Sequence, residues 1–281
     1  MTKQPHDPRT DPDVPAGMSI ELLQELHLLT RDRQLNADAR RKLKQIRHLV
    51  NLLKPALDDA LGRGDPLIVD CGAGKSYLGA LLYELVLGPD GKGTVLAIEA
   101  RPELSAAAAE RAKRFAQQRF VVKAGAIAAA DLPSRPQIVT ALHACDTATD
   151  DALALAITAN ADHVAVVPCC QAEVARQLEK SKSSDDATAA LFEHPLHRRE
   201  LGSHLTNVIR ALVLEAHGYK TTVTELVGWE HSAKNELILG KRVNKFSKAA
   251  RARLRAVLDR FHVEPALVRE LTARGLDPRA D

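Results

Sequence analysis

The chain has 281 residues, 45% of them hydrophobic and 3% aromatic, so it can bury a full core built mainly from Leu, Val, Ile and Ala. A net charge of +3 excludes a chain that is strongly basic or acidic throughout. No apolar run approaches the ~20 residues of a membrane span. The opening MTKQPHDPRTDPDVPAG has no apolar secretion core, so a soluble, cytoplasmic protein with no membrane partner is expected.

Residues 1–17 read as a disordered tail, followed by an N-terminal helical segment over 18–62. Within it MSIELLQELHLLT (18–30) predicts one helix and 36–62 a second. In the second, Leu43, Ile46, Val50, Leu53 and Leu57 recur at helical spacing and make one apolar stripe. Asn36 is its expected N-cap and Gly62 its stop.

The period then changes. PLIVD (66–70), GTVLAIEA (93–100), RFVVKAGA (119–126), PQIVTALHACD (136–146) and DHVAVVPCCQ (162–171) read as five strands. Helices over 76–88, 102–118 and 149–160 alternate with them, which implies a parallel sheet wrapped on both faces. A helix over 202–218 leads into strands at 219–227 and 235–243. The gap between these two is too short for a crossover, so they pair antiparallel. This layout predicts an α/β, Rossmann-like class I methyltransferase fold: a mostly parallel seven-stranded sheet, an antiparallel terminal hairpin, and N- and C-terminal helices. The central domain spans 63–243, and 244–281 forms a basic helical extension. Residues 179–200 read as a loop or lid.

Charge is unevenly spread. Residues 31–54 hold eight Lys/Arg against two Asp, and 241–260 hold eight Lys/Arg against one Asp. The stretch 55–240 holds eighteen Lys/Arg against twenty-four Asp/Glu. An acidic middle with basic flanks fits an enzyme core with polyanion-binding appendages, and fits equally two helices with solvated charged faces.

The glycine turn after the first strand decides among nucleotides. A P-loop needs G-x-x-x-x-G-K-[ST]; with Gly74-Lys75-Ser76 as its end, the first glycine would stand where Val69 is. A dinucleotide fingerprint needs G-x-G-x-x-G/A, and its third position is the bulky Tyr77. An S-adenosylmethionine site needs an acid ending the first strand, then G-x-G, then an acid ending the second strand for the ribose hydroxyls. Asp70-Cys71-Gly72-Ala73-Gly74 and Glu99 supply these. The glycines let the backbone approach the cofactor without Cβ atoms in the way. Tyr77, Ala100 and the pair Gly125-Ala126, at the ends of the same elements, complete the predicted cofactor contacts. No acid follows the third strand until Asp131, so backbone groups of 125–127 are expected to meet the adenine.

All four cysteines fall at strand ends: Cys71, Cys145, Cys169 and Cys170. They read in several ways. One reading packs them, small and soft, beside the cofactor. A second makes the loop after the fourth strand catalytic, with His143 and Asp146 orienting the acceptor or taking its proton. His143, Cys145, Cys169 and Cys170 have zinc-compatible chemistry, at a spacing that matches no standard zinc pattern. A Cys169 or Cys170 nucleophile toward a pyrimidine is a further reading. Lys234, in the turn of the terminal hairpin, joins His143 as a candidate base.

VDCGAGKSYLGALL, ALHACDTATDDAL, AVVPCCQAE and GWEHSAKNELI together resemble the class I S-adenosylmethionine-dependent methyltransferase-domain proteins of bacteria. The His-Ala-Cys-Asp and Cys-Cys stretches are similar to the tRNA 2′-O-methyltransferases of the acceptor stem, and to the methyltransferase-like domain of glutathione S-transferase C-terminal-domain-containing proteins. The resemblance covers about residues 36–243. It implies cofactor contacts for Asp70, Gly72, Gly74 and Glu99, with His143 nearby. The tRNA enzymes continue Cys-Cys with histidines and a cysteine, where this chain has Gln171-Ala172-Glu173. The expected activity is S-adenosylmethionine-dependent methyl transfer, with RNA as the partner through the basic helices at 31–54 and 241–260. A protein or small-molecule acceptor, or a silent cofactor-binding scaffold, are the alternatives.

Overall fold

The computed structural model describes residues 7–142, 144, 147–168, 172–180, 187–226 and 235–280. Its strands are β1 (Leu67–Cys71), β2 (Thr94–Glu99), β3 (Phe120–Ala124), β4 (Ile138–Leu142), β5 (His163–Val167), β6 (Tyr219–Glu225) and β7 (Glu236–Arg242). They run in the order β3-β2-β1-β4-β5-β7-β6 in one seven-stranded sheet. β1 pairs parallel with β2 and β2 with β3, whereas β5 pairs antiparallel with β7. The predicted mostly parallel sheet with a reversed closing strand is therefore present, as a Rossmann-like class I methyltransferase fold. The chain divides into two compact units, Met1–Ile138 with Glu225–Ala233, and Val139–Thr224 with Lys234–Asp281.

The first unit carries α1 (Ile20–Glu25), α2 (Ala37–Arg63), α3 (Tyr77–Leu82), α4 (Gly88–Asp90) and α5 (Pro102–Arg114) around β1–β3. Asn36 caps α2 as its side chain predicts, Oδ1 accepting from Ala39 N at 2.8 Å. The helix passes Gly62 and ends one residue later, with Gly64 as its cap. Between α3 and α4, Tyr83–Leu87 winds as a π-helix. Pro89 has no N–H to continue the ladder, and the Gly88 N–H reaches back five residues to Tyr83 O. Gly88-Pro89 thus loosens the helix without stopping it; the stop is Gly91, at φ 71°.

Two expectations for the N-terminus change. The helix predicted over 18–30 is confined to Ile20–Glu25, because His27 turns left-handed at φ 55° and Leu28 and Leu29 N–H groups both turn back to Leu23 O. The part of the predicted disordered tail that the structure describes, 7–17, is packed. Asp11 takes Arg40 by two bonds of 3.0 and 2.7 Å, Asp13 also pairs with Arg40, and Val14 is buried. Arg47 adds a 2.6 Å bond to Pro12 O. Composition marks this stretch as polar and proline-rich, but its acids at 11 and 13 share one cation, Arg40, 29 and 27 residues away, which no local pattern displays.

The second unit carries α6 (Ala148–Thr158), α7 (Glu173–Lys180), α8 (Pro195–Ala216), α9 (Lys248–Phe261) and α10 (Ala266–Ala273). α8 starts seven residues before the predicted Gly202, so 195–200 are helical rather than loop. Pro195 opens the helix in the position where a missing N–H costs nothing. Arg198 fixes that first turn by donating to Glu179 at 2.9 Å and to Phe192 O and Glu193 O. Gly202 is a crossing point instead of a start: a Cβ there would lie 2.8 Å from the Cα and N of Ala175 on α7.

On α6, Asp151 faces Glu270 of α10 and Arg274, the residue that caps it, with Asp150 beside it in sequence. Burial, then the charge of Glu270, pushes its carboxyl up to about 6 from an ordinary 3.8. A carboxyl that holds its proton more tightly when folded stabilises the fold at low pH, and that contribution is lost as pH rises from about 4 through 6. Asp151→Asn is therefore expected to be more stable than the parent at pH 8, by about 1–2 kcal/mol after allowance for solvent screening. The advantage should vanish by pH 4. Urea titrations at both pH values check this, and equal midpoints at pH 8 would refute it.

Candidate active site

The site is built where β1, β2 and β3 end. β1 is wholly buried, which fixes the start of the turn that follows it. Gly72 at φ 62° and Gly74 at φ 58° take left-handed backbone conformations that a side chain disfavours. The Ala73 N–H donates to Ile98 O at 3.0 Å, tying the turn to β2. Ser76, itself left-handed and buried, closes it by donating its N–H to Ala73 O at 2.7 Å. Arg111 of α5 reaches over to give Nη2 to Lys75 O at 2.9 Å.

Glu99 organises the centre. Its Oε2 accepts from the Gly74 N–H at 2.6 Å, and its Oε1 accepts from the Arg101 N–H at 3.0 Å and from Arg101 Nε at 2.8 Å. Burial alone would raise this carboxyl. The Arg101 side chain and the backbone N–H groups of Arg101 and Gly74 outweigh it and hold Glu99 below the usual carboxylate range. Glu99 is thus an ionised acceptor at neutral pH, 5% exposed, whereas the guanidinium that covers it is 60% exposed. One acid therefore both braces the glycine turn and offers oxygens to a diol.

Asp70 is 2% exposed and lies beneath the turn rather than on it. A Cβ on Gly79 of α3 would stand 3.3 Å from Asp70 Oδ2, 2.9 Å from Phe120 Cε2 and 3.2 Å from Val95 Cγ1. Gly79 is thus the glycine that lets helix and sheet pack closely, two places beyond the Tyr77 position where a dinucleotide fingerprint would put it. Gly125 follows β3 at φ 141°, donates its N–H to Glu99 O at 3.0 Å, and has open space where a Cβ would be.

The other predicted contacts among the described residues fall on the same edge. Cys71 ends β1 and is buried. Tyr77 opens α3, half-buried, with the Lys42 ammonium 5.8 Å from its ring centre. Ala100 and Ala126 are exposed just beyond β2 and β3. His143, Asp146 and Lys234, the candidate catalytic residues, lie outside the described residues, as do Cys145, Cys169 and Cys170. Among the described residues no group of three His, Cys, Asp or Glu side chains is placed to hold a metal. Arg101, Arg111 and Gly79 were not singled out by sequence. An arginine two residues after a strand-end acid was the available signal for Arg101; Arg111 shows only as part of an amphipathic helix.

The donor set fits S-adenosylmethionine. It offers an ionised acid at the end of the second strand, left-handed glycines that keep Cβ atoms out of the turn, and open space at Gly125. Bound, that cofactor supplies a methyl group on an electrophilic sulfonium. Residues 41–177 match the family described as "Methyltransferase domain". No curated protein sequence matches the chain. Similar solved structures include magnesium protoporphyrin IX methyltransferase from Synechocystis, at 12% identity and a TM-score of 0.48, over 79% of this chain and 93% of that one. A methyltransferase from Podospora anserina follows at 14% and 0.47, over 82% and 88%. An rRNA methylase from Streptococcus thermophilus stands at 9% and 0.42, over 69% and 95%. The family match over 41–177, the sheet order and the glycine turn agree on methyl transfer from S-adenosylmethionine as the chemistry of this edge.

Proposed function

We propose that this methyltransferase acts on RNA. The reading is carried by the exposed basic stretch 241–260, in which eight Lys/Arg stand against one Asp. Such a surface recruits a phosphate backbone through released counterions. The other basic stretch, 31–54, contributes less, because its cations are largely engaged within the chain. Arg40 serves Asp11 and Asp13, Arg41 and Lys42 share Asp38, and Lys54 pairs with Asp58.

Methyl transfer is an in-line displacement, so positioning supplies much of the rate. A base is required only where the acceptor must lose a proton. For a ribose hydroxyl, the acceptor implied by the resemblance to the acceptor-stem tRNA enzymes, His143 and Lys234 are the groups to test. In the cytoplasm, tRNA and rRNA are the available substrates. The test is transfer of a tritiated methyl group from S-adenosylmethionine into a cell extract, followed by nuclease or protease digestion. Label released by nuclease supports the reading. Label released by protease, label in small molecules, or none at all refutes it, the last leaving a cofactor-binding scaffold.

A further inference from the structure

The second unit presents one exposed aromatic ring on a rigid support. Phe246 is 58% exposed, in a chain with five phenylalanines, and Val243 beside it is 45% exposed. The segment that carries them is tied down at several points. The Val243 N–H donates to Gly218 O at 2.8 Å and the Ser247 N–H to Glu215 O at 3.3 Å. Ser247 Oγ accepts from Ala250 N at 3.1 Å as the cap of α9, and Arg242 Nε donates to Asn244 Oδ1 at 2.7 Å. An apolar ring held in water by this much structure is not the by-product of a loose loop.

Its neighbours are cations. Lys245 and Lys248 flank it in sequence and are exposed, and the Arg251 guanidinium stacks 5.6 Å from the ring centre. The end of β7 lies against the start of β6, which brings the exposed Lys220 and Lys241 to the same end of the unit. The nearby acid, Glu215, is neutralised by Arg253 at 3.0 Å and accepts the Thr221 hydroxyl. α9 has no acid in its first turn and begins with Lys248. The helix dipole disfavours a cation there, so Lys248 costs α9 stability. A ring with one open face and phosphate-binding charges on either side is the arrangement that receives an unpaired base and its backbone.

We infer that Phe246, with Lys245 and Lys248, forms a docking surface for single-stranded RNA. One base stacks on the ring and the lysines hold the adjacent phosphates. The surface lies at the end of the second unit where β5 begins, since Lys241 pairs with His163. This inference rests on the RNA reading above for its biological role, but its test stands apart from methyl transfer.

The probe is a fluorescein-labelled oligouridine of about twelve nucleotides, within the range one stacking platform and its groove occupy. Phe246→Ala should weaken its binding about 5- to 100-fold, and Phe246→Tyr should retain it. The pair Lys245→Glu and Lys248→Glu should flatten the slope of log affinity against log salt by about 1–2. Circular dichroism and S-adenosylhomocysteine binding, measured on each variant, should not move. Unchanged oligouridine affinity in Phe246→Ala overturns the inference. So does Phe246-dependent binding to phosphatidylserine vesicles that exceeds binding to oligouridine, which would mark a lipid surface. If label enters RNA in the transfer assay while Phe246 is silent, the docking surface falls and the acceptor stands. If label enters protein while oligouridine binding still depends on Phe246, the reverse holds.

Discussion

Arg210→Met is expected to destabilise the fold by about 3–5 kcal/mol, because it leaves a buried carboxylate without its cation. Arg210 is 1% exposed and its fork grips Asp150, 4% exposed, through Nε at 2.8 Å and Nη2 at 2.9 Å. Its third nitrogen donates to Asn207 Oδ1 at 3.2 Å, and Asn207 in turn donates to Glu236 at the start of β7. The pair thus joins α6 and α8, and the network extends to β7. Next to Asp150, the Thr149 hydroxyl donates to Ala144 O at 2.7 Å, so the same helix start holds the chain just after β4. Urea unfolding of Arg210→Met, Asp150→Leu and the double variant would measure the coupling. The double variant should recover most of the loss, since an apolar pair of similar volume needs no counter-ion. If Arg210→Met costs less than about 1 kcal/mol, the buried pair does not hold these elements together.

Glu99→Gln is expected to weaken S-adenosylhomocysteine binding by about 10- to 100-fold, the worth of one to two charge-assisted hydrogen bonds. An amide keeps one acceptor oxygen and turns the other into a donor. It cannot face both the Gly74 N–H and the Arg101 donors that now converge on Glu99. The substitution therefore removes an acceptor for the ribose and loosens the glycine turn together. Calorimetry with the nucleoside reads the affinity, and the thermal midpoint shows whether the turn alone has suffered. Unaltered affinity would mean the diol is held elsewhere.

Much of the frame is legible because it depends on local period and punctuation. The stripe at Leu43, Ile46, Val50, Leu53 and Leu57 marks α2, and both ends of β1, β2 and β3 and the starts of β4 and β5 fall within two residues of expectation. Asp70, Gly72, Gly74 and Glu99 stand together at one edge because the alternation of strand and helix puts them there. What the sequence hides is long-range pairing. The acids at 11 and 13 look like solvated tail residues until Arg40 meets them. Gly202 reads as punctuation, but it exists for contact with Ala175 on another helix. Arg101 is an ordinary surface cation by composition, and its role shows only when its guanidinium is seen on Glu99.

Gly79 leaves Asp70 directly beneath a helix, closed off from water by its own neighbours. A residue so placed answers to two masters at once, the seam between layers and the shape of the loop above. An alanine scan that scored Asp70 by lost ligand alone would partly be counting misassembled molecules, and would credit to recognition what belongs to architecture. Glu99, whose oxygens face the glycine turn and the exposed Arg101 rather than a helix seam, is the cleaner witness to how the nucleoside is held.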